Sequence, residues 1–289
     1  MLVSPNVTLR YINEAGHNLA FNFFSDFVIE KCEEQLPNQI FSIKQGGVHG
    51  KFFTGMSTDE RHIRLIGTVR PGLTSTAALV SLQRVFNPTI SGILHYENRL
   101  MPRLSKSIPC RLEELPQVYW NRGLRFDIVL TSLEAFWRGQ GVTEVIAETQ
   151  KMMRFPIVIP GGGAAFGVRR SGLDSIFENA GNVESGFEVT FRAKGGTVTN
   201  PEIYNVNTGK RIRINYTMQA NDTITVINQL QEKRVFVNGE NGFRFLDSPN
   251  TNFFLIDVGE NRIGFRADEN VSNLSVMIRY IPNFTFAEG

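Results

Sequence analysis

The 289 residues carry 30 Lys and Arg against 28 Asp and Glu, a balance too flat to draw the protein to nucleic acid or to an anionic membrane through its overall field. A chain of this length buries most of its unfolded surface and is expected to form two domains of ordinary size. Cys32 and Cys110 are too few for a disulfide framework and are expected as reduced core residues, and no apolar run is long enough to cross a membrane as a helix. No basic stretch followed by an apolar one opens the chain, so synthesis and folding in cytoplasm are expected.

In chain order, the first part reads as strands, including 62–69 and 126–131, interrupted by one helix. Thr74 or Ser75 can cap a segment in which Leu79, Leu82 and Val85 or Phe86 recur at helical spacing, and Asn87-Pro88 ends it because proline cannot continue the hydrogen-bond ladder. Composition shifts at mid-chain: His17, His49, His62, His95, both tryptophans and both cysteines all precede residue 151. Breakers at Gln140-Gly141-Val142-Thr143, Pro156 and Pro160-Gly161-Gly162-Gly163 put the join near 150, so the expected domains are 1–150 and 151–289.

Beyond the join, period-two alternation is clear. Phe187, Val189 and Phe191 share one face, as do Ile212, Ile214 and Tyr216, and Leu274, Val276, Ile278 and Tyr280. Asn238-Gly239 and Asn241-Gly242 tolerate positive φ and predict tight turns between strands 234–237 and 243–245. The expected fold class is all-β and mainly antiparallel, a β-sandwich with one packed helix followed by a second β-sandwich.

Candidate chemistry runs out quickly. The run 160–167 fits neither GxGxxG nor GxxxxGK[ST] and no helix follows it, so it reads as a turn rather than a phosphate cradle. The four histidines form no HxxxH or HxH pair, no CxxC occurs, no GxSxG elbow is present, and neither cysteine has an evident histidine partner. Glu33-Glu34 and Glu113-Glu114 are adjacent, so in regular strands each pair would point to opposite faces. No catalytic, cofactor-binding or metal-binding residue is therefore expected, and the protein reads as a non-enzyme. Gly67, Pro88 and Gly92 are expected to serve backbone geometry, as a strand end, a helix stop and a hairpin turn with positive φ at Gly92. Residues 61–125 hold ten basic side chains (Arg61, Arg64, Arg70, Arg84, Arg99, Arg103, Lys106, Arg111, Arg122, Arg125) against Glu97, Glu113 and Glu114, while the segments on either side are acidic. Such complementarity suits self-association. A carbohydrate-binding sandwich is the alternative from another class, with the second part's aromatics mostly on apolar faces.

The order of short segments is more specific than any one of them. Phe41-Ser42-Ile43-Lys44-Gln45-Gly46-Gly47-Val48-His49-Gly50, then Arg61 through Val69, then Leu82-Gln83-Arg84-Val85-Phe86-Asn87-Pro88, Gly92-Ile93-Leu94-His95-Tyr96, Ile108-Pro109-Cys110-Arg111-Leu112-Glu113 and Phe126-Asp127-Ile128-Val129-Leu130 before Phe136-Trp137, resembles the N-terminal domain of phage distal tail proteins. Asn179-Ala180-Gly181-Asn182, Asn200-Pro201-Glu202-Ile203, Asn207-Thr208-Gly209 and Gly259-Glu260-Asn261-Arg262-Ile263 are similar to the turns of that family's galectin-like C-terminal sandwich. The resemblance implies a β-hairpin extension on the first domain and a homohexameric ring that joins the tail tube to the tail tip or baseplate of a long-tailed phage or a prophage-derived particle. It implies as partners the major tail tube protein, the tape measure protein, a tail-associated hub or lysin protein and receptor-binding proteins, with DNA only in transit through the lumen, no membrane insertion and no cofactor. The short second domain shows no inserted module of the kind that carries sugar-binding sites in enlarged members.

Overall fold

The computed structural model describes residues 4–47, 49–147, 149–151, 167–169 and 174–287. The glycine-rich run 160–166, Pro156 and Val48 lie outside the described residues. The chain divides into two compact units, one of Met1–Gln140 with Phe284–Gly289 and one of Gly141–Asn283.

The first unit contains β1 (Val7–Asn13), β2 (Asn18–Phe21), β3 (Phe27–Gln35), β4 (Asn38–Ile43), β5 (Phe52–Thr58), β6 (Arg61–Val69), α1 (Ser75–Val85), β7 (Gly92–Asn98), β8 (Lys106–Trp120), β9 (Leu124–Ser132) and β10 (Trp137–Arg138). A nine-stranded sheet runs from the short strand Asn283–Phe284 through β10, β8, β7, β1, β2, β3 and β6 to β9. The fifteen-residue β8 pairs with β7 through 106–110 and with β9 through 111–120, so it carries the sheet over onto itself. Bulges between Leu112 and Glu114 and between Glu114 and Gln117 supply the bend. Alternation then buries one face: Ile63, Leu65 and Val69 of β6 meet Phe126, Ile128 and Leu130 of β9.

Helix α1 closes this core. Thr74 Oγ1 accepts from the Ala77 amide at 3.2 Å, and Ala78, Leu82 and Val85 turn inward, with Leu79 only partly buried. Full burial of Leu82 contributes about 2 kcal/mol. At the other end Asn13 Nδ2 donates to the Val85 carbonyl at 2.9 Å, satisfying an acceptor the helix leaves open, and Phe86 stacks on Tyr11 with ring centroids 4.5 Å apart.

Gly92 begins β7 opposite Cys110 and Asn13, and its φ is not positive. A Cβ there would lie 2.4 Å from Tyr11 Cζ and 2.7 Å from the Ile12 carbonyl, so close approach and not turn conformation excludes a side chain. Gly67 sits within β6 rather than at its end, for the same reason: its Cβ would meet the Val28 carbonyl at 2.1 Å.

The second unit is a β-sandwich. Its six-stranded sheet orders 142–147, 274–280, 187–193, 223–228, 233–237 and 240–241, and its four-stranded sheet orders 174–179, 259–266, 202–205 and 211–213. The inward rows Phe187, Val189, Phe191 and Leu274, Val276, Ile278, Tyr280 meet Ile203, Ile212, Ile263 and Phe265 in one core. Residues 142–147, placed by composition in the first domain, pair antiparallel with 274–280 and so belong here. Asn238 and Gly239 take positive φ in a two-residue hairpin, but the returning strand is Glu240–Asn241; Phe243–Phe245 is a turn of 3-10 helix. The row Ile212, Ile214, Tyr216 is also broken, since the strand ends at Arg213 and Ile214 makes only an isolated bridge to Leu246.

Candidate assembly surface

The histidine with the most polar surroundings is His62, on the outward face of β6. Its Nδ1 lies 2.8 Å from Glu113 Oε2 and its Nε2 3.9 Å from Glu60, and the Thr131 hydroxyl donates to Glu113. Those hydrogen bonds, from Thr131 first and His62 second, hold the Glu113 carboxyl below the usual carboxylate range. An open hollow of about 480 Å³ lies over this face, lined among others by Glu33, Arg64, Glu114, Leu115 and Val129. Here the sequence expectation is corrected: the bulge at Leu112/Glu114 breaks alternation, so Glu113 and Glu114 both line the hollow instead of facing apart. The pair Glu33 and Glu34 does divide between faces. Within the hollow Glu33 is paired with Lys31, Glu113 with His62, and Asp127 with Arg64 through a two-pronged contact. Among the described residues no three His, Cys, Asp or Glu side chains gather as metal ligands. His95 is part-buried and burial pushes its pKa down, while Cys32 and Cys110 are buried in the first core without a disulfide, the Cys110 thiol pushed up to about 12 by burial.

Part of the basic segment 61–125 is turned inward. Arg61 is fully buried: Nε and Nη2 donate to the Ala135 carbonyl at 3.0 and 2.7 Å, Nη2 also to the Thr285 carbonyl at 2.6 Å, and Nη1 pairs with Glu34. Trp137 Nε1 donates to the same carboxylate at 2.9 Å. Burial pulls the Arg61 pKa down and Glu34 pulls it back up. Lys106 is buried too, its Nζ 3.1 Å from the Phe286 carbonyl and 4.2 Å above the Phe284 ring. Arg64 and Arg125 meet Asp127 and Glu30, one in each flanking acidic segment. Part of the complementarity expected between copies is thus satisfied inside the first unit, while Arg70, Arg84, Arg99, Arg103, Arg111 and Arg122 remain exposed. The sequence reading missed this cluster, although the signal is there: Arg61 shares its parity with Ile63 and Leu65, and Lys106 with Ile108 and Cys110, the inward rows of β6 and β8.

The ribbon of the first unit exposes apolar side chains. Strands β4 and β5 form a two-stranded ribbon outside the main sheet. Ile40 faces across to Met56 on one side, with Phe53, and Ile43 faces Phe52 on the other, with Phe41 lying across Gly55. All six large side chains are at least half exposed, up to 69 % for Phe53. A two-stranded ribbon is marginal alone in water, and this one has an apolar surface on both sides.

A model of the siphovirus-type tail component, C-terminal domain, matches residues 180–284, the greater part of the second unit. The fold of the whole chain matches the crystal structure of the SPP1 Dit (gp 19.1) protein, described as a paradigm of the hub adsorption apparatus in phages infecting Gram-positive bacteria, with a TM-score of 0.65 at 10% identity over 96% of this chain and 99% of that one. Residues 180–284 thus match the C-terminal domain of the siphovirus-type tail component, and the chain as a whole shares the fold of that Dit protein. It is similar as well, at a TM-score of 0.44 and 11% identity over 97% of this chain and 99% of that one, to a chain in the phage P2 baseplate in its activated conformation with Ca, and at 0.43 and 12% to one in the same baseplate with Sr. No curated protein sequence matches it. Both units are built mainly of antiparallel strands, and the first carries the β4–β5 hairpin beside its main sheet, as the resemblance implies.

Proposed function

We propose that this chain is a distal tail protein that acts without catalysis as a closed hexameric ring built from its first unit, ending the tail tube of a long-tailed phage or a prophage-derived particle. The ring takes the major tail tube protein and the tape measure protein on one side and a hub or lysin protein on the other, anchors receptor-binding proteins at its rim, and lets DNA pass through its lumen. It is made in the host cytoplasm and works at the tip of the virion tail. The observation that carries this reading is the β4–β5 ribbon: a tail-component chain that keeps an apolar two-stranded arm exposed on both faces needs a protein on either side of it. Light scattering of the full chain across concentration tests the ring, whose mass is near 196 kDa for six copies of 32.6 kDa. Replacing Phe41 and Phe53 by Ser should abolish the 196 kDa species and leave the melting temperature nearly unchanged, since exposed side chains contribute within about 0.5 kcal/mol to the fold. A chain that stays monomeric at every concentration, with its tail partners added, would overturn the ring.

A further inference from the structure

Apart from the ribbon, the first unit exposes a second apolar feature whose shape is fixed in advance. Between β2 and β3 the Phe24 and Ser25 amides donate to Asn22 Oδ1 at 2.7 and 2.8 Å, Ser25 Oγ accepts from the Asn22 amide at 3.1 Å, and the Arg70 guanidinium donates to the Phe23 carbonyl. This turn holds Phe23 and Phe24 edge to face, centroids 5.5 Å apart, with Phe24 67 % exposed. Arg99 lies over the Phe24 ring at 5.8 Å, and Leu100 beside it stands exposed on a turn closed by its amide to Asn98 Oδ1 at 3.0 Å. The result is an aromatic knob rimmed by cations. Arg70, bonded to the Phe23 carbonyl, and Arg99, over the Phe24 ring, are both exposed.

The opposite end of the same strands has the inverse character. The hollow over His62 is concave, bears Leu115 and Val129 as apolar surface, and gathers Glu33, Glu60, Glu113, Glu114 and Asp127 against Lys31 and Arg64. Strand β6 links the two places: His62 is its second residue and Arg70 follows its last, eight positions apart, which is about 26 Å of extended chain. A cationic apolar knob and an anionic hollow at the two ends of one strand cannot meet within one copy. Between copies they meet head to tail, and a contact of that kind, repeated, closes into a ring when its rotation allows.

We propose that the knob of Phe23, Phe24, Arg99 and Leu100 seats in the hollow of Glu113, Glu114 and Leu115 of a second copy of this chain. This contact rests on the ring reading and assigns it a specific residue pair. It adds to the ribbon and does not replace it. The occupant is a second copy because the charge inversion lies on this chain's own two ends and because the two flanks of the hollow carry the sign that the knob's rim needs.

The test uses the full chain at fixed ionic strength, with the concentration at half-assembly read by light scattering. Arg99→Glu and Glu114→Arg should each raise it roughly tenfold, and the two together should return it to within roughly threefold of the unmodified chain, because the reversed charges again oppose each other. A second measurement is independent of affinity. Chains carrying Phe24→Cys, mixed with chains carrying Leu115→Cys and treated with a short bismaleimide, should give covalent dimers that neither variant gives alone; the native Cys32 and Cys110 are buried. Rings that form normally but show no rescue in the double reversal and no mixed dimer overturn the contact and leave the ring standing. Cross-linking of Leu115→Cys to a ribbon cysteine at Phe53 instead assigns the hollow to the arm and also overturns it. Absence of any ring from the unmodified chain, even with its tail partners, removes the ring reading and this contact together.

Discussion

Arg61 shows how one side chain decides the local structure of the first unit. Four donor contacts hold a fully desolvated guanidinium, and Glu34, itself nearly buried, neutralises it. Removing one partner strands the other's charge, so Arg61→Ala should cost about 3–5 kcal/mol in denaturant unfolding. The paired change Arg61→Met with Glu34→Leu should cost much less, since no charge is then left buried; equal losses in the two variants would show that the pair acts by shape alone. Glu113 makes a different statement. Its folded pKa lies below its unfolded value because Thr131 and His62 bond to the ionised form. Its contribution is therefore complete above the ordinary carboxylate pKa of 4.5 and is lost as pH falls through the lowered folded value. In Thr131→Val the largest cause of the shift is gone, and acid unfolding should begin at a higher pH than in the unmodified chain. An unchanged acid transition would remove the Thr131 bond as its cause.

At the scale of elements, the positions that a side chain cannot enter are the most exacting. Gly92→Val must push β1 and β7 apart at Tyr11, so a loss of about 1–3 kcal/mol is expected from overpacking, although φ is ordinary there. A melting temperature equal to that of the unmodified chain would show that the strands separate freely. The elements themselves were largely legible. Thr74 caps the helix, the alternating rows 187–191 and 274–280 are strands, and Asn238-Gly239 turns the chain, because each follows from spacing and backbone preference within a few residues. What escaped depends on partners far away in sequence. Whether Gly92 serves a turn or a close approach is decided by Tyr11, some eighty positions earlier. The bulge that puts Glu113 and Glu114 on the same side arises from the pairing of β8 with β9. The charge of residues 61–125 could be counted but not placed, and parity within β6 and β8 was the one local clue that Arg61 and Lys106 point inward.

For the whole molecule, the consequential feature is that the second unit is inserted into the first. The chain leaves after Gln140 and comes back at Phe284; Phe284 and Ala287 pack on the first core, and the carbonyls of Thr285 and Phe286 accept from Arg61 and Lys106. A fragment ending at residue 150, the expected first domain, lacks that segment. Deleting 284–289 from the full chain should lower the stability of the first unit by about 3 kcal/mol, through lost acceptors for two buried cations, and the fall should appear in the first unit's unfolding transition. A transition that does not move would show that the returning segment is dispensable. The strands by which the chain departs and comes back, β10 and Asn283–Phe284, are hydrogen-bonded neighbours. The chain therefore passes from the first unit to the second and back at two neighbouring strands rather than one. Each strand is only two residues long and would peel easily by itself. Beyond them the carbonyls of Thr285 and Phe286 accept from the buried Arg61 and Lys106, so two cations inside the sheet rivet the returning segment to the first unit where the strand pairing has ended.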